Sequence, residues 1–232
     1  MTRSFTPHLV KPNIKLAEAP TPDGERLTLY EHDGSYCIRW NNEELMHSEA
    51  NASELLLGEL AAGPLASHAH PSILIGGLGL GFTLKAVLEH LGPESTVHVA
   101  ELIPAVVQWN REFMSGLNGL LLNDPRVEVF VDDVWNVIAR AGRARYDAVL
   151  LDIDNGPDAM VQRQNARMYE HNGLQRIAAV LKPGGRAAVW SARPDHAFAQ
   201  RFAEAGFSVR VVPAKLHANA KRCAYTIFVA DR

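Results

Sequence analysis

The feature that most constrains the fold is an alternation of strand-like and helix-like segments that begins just after Pro71. Short apolar runs, such as residues 72–75 and Tyr146–Leu151, alternate with segments whose apolar residues recur at helical spacing. Tyr146–Leu151 is apolar almost throughout, as in a strand that is covered on both faces. This rhythm predicts an α/β fold: a doubly wound, mostly parallel seven-stranded sheet with helices on both faces.

A smaller unit precedes the sheet. Residues 27–30 and 36–40 alternate in the manner of strands, and Asp33-Gly34 between them is a hairpin signal. Residues 43–47 predict a third strand, and residues 53–62 predict a helix. We therefore expect an N-terminal arm (1–25), a small antiparallel β-meander plus helix (26–62), and a Rossmann-like domain (63–232).

Composition limits the classes of partner. The 232 residues are 47% hydrophobic and 21% charged, and a net charge of -3 offers no basic field for nucleic acid. Cys37 and Cys223 alone make neither a disulfide framework nor a zinc site. No apolar run approaches the roughly 18 residues of a membrane span, and residues 1–20 lack the apolar core of a signal peptide. We expect a cytoplasmic protein with no metal, no nucleic acid and no membrane partner.

A glycine cluster follows the first strand of the large sheet. Glycine permits a sharp turn and lets a ligand touch bare backbone, while the next helix offers its N-terminus. A dinucleotide fingerprint, G-x-G-x-x-G, fails here, because its third glycine would fall at Phe82 or Leu84. The spacing of Gly77, Gly79 and Gly81 instead suits a nucleoside cofactor without a pyrophosphate. A turn needed only for helix packing is the alternative.

Acidic residues stand where the next two strands end. Glu101 can accept both hydroxyls of a ribose or serve as a helix cap. Asp132 or Asp133 can accept from an exocyclic amine of adenine while the amide of Val134 reads the ring, or it can cap a helix. Trp190, also near a strand end, either stacks on adenine or packs in the core, and core packing is favoured.

The fourth strand is followed by Asp152, Asp154 and Asn155. Packing does not require two carboxylates there, and crowding can raise the pKa of one enough to make it a proton acceptor near neutrality. Asp152 is the candidate for that role. A helix is predicted over residues 166–181. Asn165 and Tyr169 lie four apart on one helical face at its start, where they line an acceptor pocket or cap and pack the helix.

These motifs together make residues 45–229 resemble the spermidine synthase family, which shares the class I methyltransferase fold. The resemblance rests on Leu45-Met46-His47-Ser48, Ser53-Glu54, the run Ile75 to Gly81, Val99-Ala100-Glu101-Leu102, Asp132-Asp133, the run Tyr146 to Asp152, and Leu181-Lys182-Pro183-Gly184-Gly185. It implies a transferase of polyamine biosynthesis that moves an aminopropyl group from decarboxylated S-adenosylmethionine to a small-molecule amine and releases methylthioadenosine. It also implies a homodimer.

The resemblance further implies roles for individual residues. The three glycines would surround the cofactor, Glu101 would hold its ribose, and Asp133 with the amide of Val134 would read adenine. Asp152 would take the proton of the attacking amine. Aligning the nucleophile and keeping its amine uncharged would be the protein's tasks.

The chain departs from the family pattern at groups suited to gripping a cationic polyamine. No aspartate lies between Gly76 and Gly81, Ala52 stands in place of a tyrosine, and Asn155 stands in place of an aspartate. Two alternatives therefore stay open. One is a methyltransferase that uses intact S-adenosylmethionine, yields S-adenosylhomocysteine and modifies another small acceptor. The other is a nucleoside-binding module without catalysis. The sequence does not name the acceptor.

Overall fold

The computed structural model of the chain describes residues 12–153, 156 and 163–232, with the backbone alone at 163 and 164. A four-stranded antiparallel sheet comes first. Its strands, in spatial and chain order, are β1 Ile14–Pro20, β2 Arg26–His32, β3 Ser35–Trp40 and β4 Glu43–His47. Asp33 and Gly34 have φ of 50° and 84° in the turn between β2 and β3. Two successive positive φ values are what a two-residue hairpin turn requires.

The second sheet has seven strands. They are β5 Ser72–Gly76, β6 Thr96–Glu101, β7 Val127–Val131, β8 Tyr146–Leu151, β9 Leu181–Ser191, β10 Ser208–Lys215 and β11 Cys223–Asp231. The helices are α1 Ala52–Ala62, α2 Phe82–His90, α3 Pro104–Glu112, α4 Ser115–Asn118, α5 Val134–Arg140, α6 His171–Val180 and α7 His196–Glu204, and the 3-10 turns are Gly63–Leu65, Leu121–Asn123 and Arg163–Met168. Within the described ranges, no helix has the length and hydropathy to cross a membrane.

The strand order, β10-β11-β9-β8-β5-β6-β7, confirms the predicted doubly wound α/β fold. Strands β5 to β9 pair in parallel, and β10 and β11 are antiparallel additions at one edge. The chain leaves β5 on one side through β6 and later returns to its other side as β8. Ligands of such sheets bind outside the carboxyl ends of the strands at this switch point.

Strand residues of the large sheet alternate between two apolar cores, one on each face. In β5, Ile73 and Ile75 pack into one core and Leu74 into the other, and all three are fully buried. Burying each such side chain stabilises the fold by about 1.5–3 kcal/mol. Leu27 and Ile38 of the small sheet join the core of Ile73. The small sheet is thereby anchored against the large one.

A strand lies within the expected N-terminal arm. Residues 14–20 form β1, which pairs with β2 through registers such as Glu18 opposite Thr28 and Ala19 opposite Leu27. The strand was missed because it lies at a sheet edge and is largely exposed, so its residues carry no clear apolar period. Backbone hydrogen bonds to β2 hold it instead.

The helix predicted over residues 166–181 was wrong at its start. A 3-10 turn ends at Met168, Glu170 has extended backbone, and α6 begins at His171. A Cβ at Gly173 would come within 2.3 Å of the carbonyl oxygen of Arg167, so the chain folds back tightly there. Periodicity alone does not register such a reversal.

Candidate active site

A cleft lies at the carboxyl edge of the parallel sheet, beside the ends of β5, β6 and β8. It contains about 760 Å³ of space not filled by atoms, part of it open to solvent. Polar groups come from the strand ends and from the loops after them, including Glu101, Asp133 and Asp152. The small sheet supplies an apolar wall made of Leu27, Ile38, Leu45 and Met46. One apolar wall and a few polar groups are typical of a small-molecule site.

The glycines after β5 have different surroundings. Gly77 has φ of 91°, and a Cβ there would lie 2.1 Å from the carbonyl oxygen of Asp152. Gly77 therefore lets the loops after β5 and β8 touch. Gly79 lines the cleft opposite Met46. Gly81 precedes α2 with φ of 88° and faces Asn110, away from the described lining of the cleft. Two of the three predicted glycines thus reach the cleft.

Glu101 is buried at the end of β6 and lines the cleft. One carboxylate oxygen accepts from the backbone N–H of Leu78 and the other from that of Ile103, each at 2.9 Å. Burial raises the pKa of Glu101, and these N–H groups act in the opposite direction. The backbone N–H groups of Gly79 and Leu102 also act on this carboxylate. Glu101 is thus held in one orientation at the cleft.

The two aspartates after β7 are separated by the fold. Asp133 and Val134 line the cleft, and Asp133 Oδ1 also caps α5 by accepting from the N–H of Trp135 at 2.8 Å. Both sequence interpretations of Asp133, ligand contact and helix cap, are thus compatible. Asp132 does not reach the described lining, because it hydrogen-bonds Asn136 and pairs with Arg140. The hydrogen bond from Asn136 has the largest lowering effect on the pKa of Asp132, and Arg140 lowers it further.

Asp152 shares its surroundings with a second acid. The hydroxyl of Thr83, in the first turn of α2, donates to Asp152 Oδ2 at 2.6 Å. Burial raises the pKa of Asp152 to about 6, against the lowering effect of this hydrogen bond. Glu54 of α1 is also half-buried, and burial together with the charge on Asp152 raises its pKa to about 7. Two such carboxyls resist simultaneous ionisation near neutral pH, so the pair can hold and release a proton.

A second pocket adjoins the cleft, and both are lined by Leu45, Met46 and Asp152. We call it the acidic pocket, because Glu44, Glu54 and Asp152 all line it. Trp190 and Tyr225 form an aromatic wall, with ring centroids 4.8 Å apart. Burial, then Glu54 and Glu44, raises the pKa of the Tyr225 hydroxyl. Carboxylates beside aromatic faces suit an alkylammonium group.

Not every predicted pocket residue reaches the acidic pocket. Asn165 lines the cleft instead. Tyr169 is buried in the core with its ring against Phe198 at 5.6 Å, and it appears in neither described lining. The break between the 3-10 turn and α6 removes the shared helical face on which the pair was placed. Asp154 and Asn155 lie outside the described residues.

The sequence prediction missed several residues of the acidic pocket. Glu54 lies in the Ser53-Glu54 motif, and no role was predicted for it, although a glutamate within the leucine-rich segment of α1 is a usable signal. Trp190 packs partly against the core, as expected, and it also lines the pocket. Thr83 and Tyr225 carry no local signal, because the fold alone brings Thr83 to Asp152 and Tyr225 to the pocket. Among the described residues, no three His, Cys, Asp or Glu side chains group as metal ligands would.

Comparison with known proteins places this arrangement in a family. Residues 58–198 match the profile of the spermine/spermidine synthase domain. The chain belongs to the spermine/spermidine synthase family. Matches to curated members include the polyamine aminopropyltransferase of Mycobacterium tuberculosis, at 31% identity over 75% of this chain and 30% of that protein. The enzyme of that name from Aeropyrum pernix is 33% identical over 51% of this chain and 37% of its own length.

The curated proteins that the chain matches also include a methyltransferase. Putrescine N-methyltransferase 1 of Nicotiana tabacum is 31% identical over 53% of this chain and 31% of its own length. The chain thus spans about a third of the length of each of these curated relatives.

Solved structures agree on the fold. Spermidine synthase from Thermotoga maritima superimposes with a TM-score of 0.72 at 17% identity, covering 94% of this chain and 72% of that one. Human methyltransferase-like protein 13, solved with S-adenosylhomocysteine (SAH), gives a TM-score of 0.56 at 20% identity. The match covers 79% of this chain and 80% of that one. These likenesses confirm the methyltransferase-like α/β fold.

Proposed function

We propose that this protein is an aminopropyltransferase. It would bind decarboxylated S-adenosylmethionine in the cleft and an amine in the acidic pocket, and the products would be methylthioadenosine and an N-aminopropylated amine. The proposal rests on membership of the spermine/spermidine synthase family and on the charge of the two adjoining pockets.

The charge of the pockets is the observation that carries the proposal. Carboxylates line both the cleft and the acidic pocket. Among the described residues that line them, there is no Lys or Arg, and His47 is the single histidine. The decarboxylated cofactor ends in an ammonium, which such an environment attracts. The intact cofactor adds a carboxylate, which would meet Glu54 and Asp152 at close range without a Lys or Arg partner in that lining. Like charges in a partly buried site repel strongly. The pocket therefore favours aminopropyl transfer over methyl transfer.

The cleft residues have complementary tasks in this proposal. Glu101, fixed by two backbone N–H groups, accepts from the ribose hydroxyls. Asp133 accepts from the exocyclic amine of adenine, and the amide of Val134 faces the ring. Gly79 leaves room for the nucleoside, because a Cβ there would lie 2.9 Å from Met46 Cε, which lines the same cleft. The cofactor would supply an electrophilic carbon next to its sulfonium.

Transfer requires a neutral amine at that carbon. The amine nitrogen forms a bond to the carbon, the carbon–sulfur bond breaks, and its electron pair stays on sulfur as methylthioadenosine leaves. Asp152 takes the proton lost by nitrogen, and a pKa of about 6 suits a base near neutral pH. Glu54 and Glu44 orient the positively charged part of the acceptor, and Trp190 and Tyr225 cover its methylene chain.

The test is turnover with decarboxylated S-adenosylmethionine and a panel of amines: 1,3-diaminopropane, putrescine, cadaverine and spermidine. We expect amine-dependent release of methylthioadenosine, measured by liquid chromatography. Asp152→Asn is expected to lower kcat by about 100-fold or more, the usual contribution of a general base. Asp132→Asn is the matched control, because Asp132 pairs with Arg140 outside the described cleft lining, and we expect its kcat to be unchanged.

Other outcomes would select the alternatives. Formation of S-adenosylhomocysteine from intact S-adenosylmethionine, without turnover of the decarboxylated form, would establish methyl transfer and refute the proposal. Binding of methylthioadenosine with no turnover of either cofactor would leave a nucleoside-binding module.

The proposal retains three predictions made from the sequence. These are a homodimer, a cytoplasmic location, and a boundary at residue 63 between the small unit and a cofactor-binding catalytic domain. Light scattering coupled to size exclusion measures the first directly, and a single peak at the monomer mass of 25.5 kDa would contradict it.

A further inference from the structure

Arg167 connects two segments at the cleft: the 3-10 turn Arg163–Met168 and the loop after β7 that carries Asp133. Its Nη2 donates to Asp133 Oδ2 at 2.6 Å, and its guanidinium carbon lies 4.7 Å from the centre of the Trp135 ring. Arg176 stacks on the same ring at 4.6 Å, but the hydrogen bond to Asp133 comes from Arg167. Asn165, two residues before Arg167, lines the cleft. The ion pair thus ties the 3-10 turn that carries Asn165 to the acid beside the cleft.

This contact fixes the carboxylate of Asp133 from both sides. Oδ1 accepts from the N–H of Trp135, and Oδ2 accepts from Arg167. The terminal torsion of an aspartate is otherwise broad, so a carboxylate held at one oxygen turns more freely than one held at both. Each oxygen still has a second lone pair. Asp133 is therefore a preoriented acceptor at the edge of the cleft, and Arg167 completes its orientation.

We propose that Arg167 is a positioning residue that sets the base selectivity of the cleft by holding Asp133 as an acceptor for an exocyclic amine. The inference rests on the proposed function, in which Asp133 faces the adenine. A 6-amino purine donates to that carboxylate, whereas a 6-oxo purine presents another acceptor to it. A site built to bond an N–H rejects analogues that lack it, and the rejection weakens when the acceptor can turn away. Loss of Arg167 therefore reduces discrimination between bases as well as affinity.

The experiment is calorimetric titration of the full chain with methylthioadenosine and methylthioinosine, which differ at the 6-position of the purine. For the wild type we expect methylthioadenosine to bind at least about tenfold more tightly, equivalent to about 1.4 kcal/mol. Arg167→Gln is expected to reduce that ratio by about fivefold, near the worth of one hydrogen bond. Arg167→Lys, which keeps the charge, is expected to restore part of the ratio.

Arg176→Gln is the matched control, because Arg176 shares the Trp135 ring with Arg167, and its ratio is expected to equal that of the wild type. If Arg167 contributes to stability alone, its loss would lower the affinity for both nucleosides equally and leave the ratio of the two affinities unchanged. That result would overturn the inference while the proposed function stood. Failure of the wild type to bind methylthioadenosine would overturn both. If Arg167→Gln does not fold, Arg167→Met, which keeps the length of the side chain without its charge, takes its place, and a ratio equal to that of Arg176→Gln would refute the inference.

Discussion

Replacing Thr83 with valine removes one hydroxyl from the centre of the site and little else. Thr83 is buried, and its Oγ1 lies 2.6 Å from Asp152 Oδ2. Valine has nearly the same shape and preserves the packing of α2. A hydroxyl that donates to a carboxylate stabilises the ionised form, so its removal raises the pKa of Asp152 above its value of about 6.

The size of this effect follows from the type of bond. A hydrogen bond to a charged group contributes about 1.5–3 kcal/mol, and 1.36 kcal/mol corresponds to roughly one pKa unit. We therefore expect the pKa of Asp152 to rise by about 1–2 units. At pH 7 the ionised fraction of Asp152 would fall from about nine-tenths to between about a half and a tenth. A base that is protonated accepts no proton, so kcat falls in proportion.

The assay is kcat against pH from 5 to 9.5, with saturating decarboxylated S-adenosylmethionine and the best amine. Thr83→Val should move the acidic limb of the profile to higher pH by about 1–2 units and recover most of kcat above pH 9. Thr83→Ser keeps the hydroxyl, and its limb should coincide with that of the wild type. An equal loss of kcat by Thr83→Val at every pH, with the limb unmoved, would refute the reasoning.

Three further substitutions test other parts of the account. Because the pKa of Glu54 is raised on folding, the folded protein takes up a proton between about pH 4.5 and 7, and the free energy of unfolding falls as pH rises through about 7. Glu54→Gln should therefore raise the free energy of unfolding by about 1–3 kcal/mol at pH 8 and by much less at pH 4.5, measured by urea unfolding. Gly77→Ala should lower Tm sharply or abolish folding, since its Cβ would lie 2.1 Å from a carbonyl oxygen, whereas Gly92→Ala, with no heavy atom within 4 Å, should not. Tyr169→Leu should lower Tm, because it removes the ring that packs against Phe198, and should leave KM for both substrates unchanged; a rise in KM above about threefold with Tm unchanged would contradict the placement of Tyr169 in the core.

The sheet was predictable because its strands are short apolar runs between helical segments. Tyr146–Leu151 is buried on both faces and reads as a strand without ambiguity. Because parallel strands end at one edge, Glu101, Asp133 and Asp152 were expected together, and all three line one cleft. These features could be predicted because a buried strand and its end are marked by consecutive residues in the sequence.

The remaining features depend on tertiary contacts. β1 is held by backbone pairing, which leaves no side-chain period. The carboxylate of Asp132 points to Arg140, whereas its neighbour Asp133 faces the cleft, and one residue of difference after a strand is beyond what spacing resolves. Glu54 and Tyr225 are distant in sequence and come together only where α1 packs against β11.

The central claim is that the charge of the acidic pocket selects the decarboxylated cofactor, and one measurement tests it most directly. Decarboxylated and intact S-adenosylmethionine are titrated in parallel against the wild type by calorimetry at pH 8, where both carboxyls of the Glu54 and Asp152 pair are largely ionised. The account predicts that the decarboxylated form binds at least about tenfold more tightly, equivalent to about 1.4 kcal/mol. Equal or tighter binding of the intact form would contradict it.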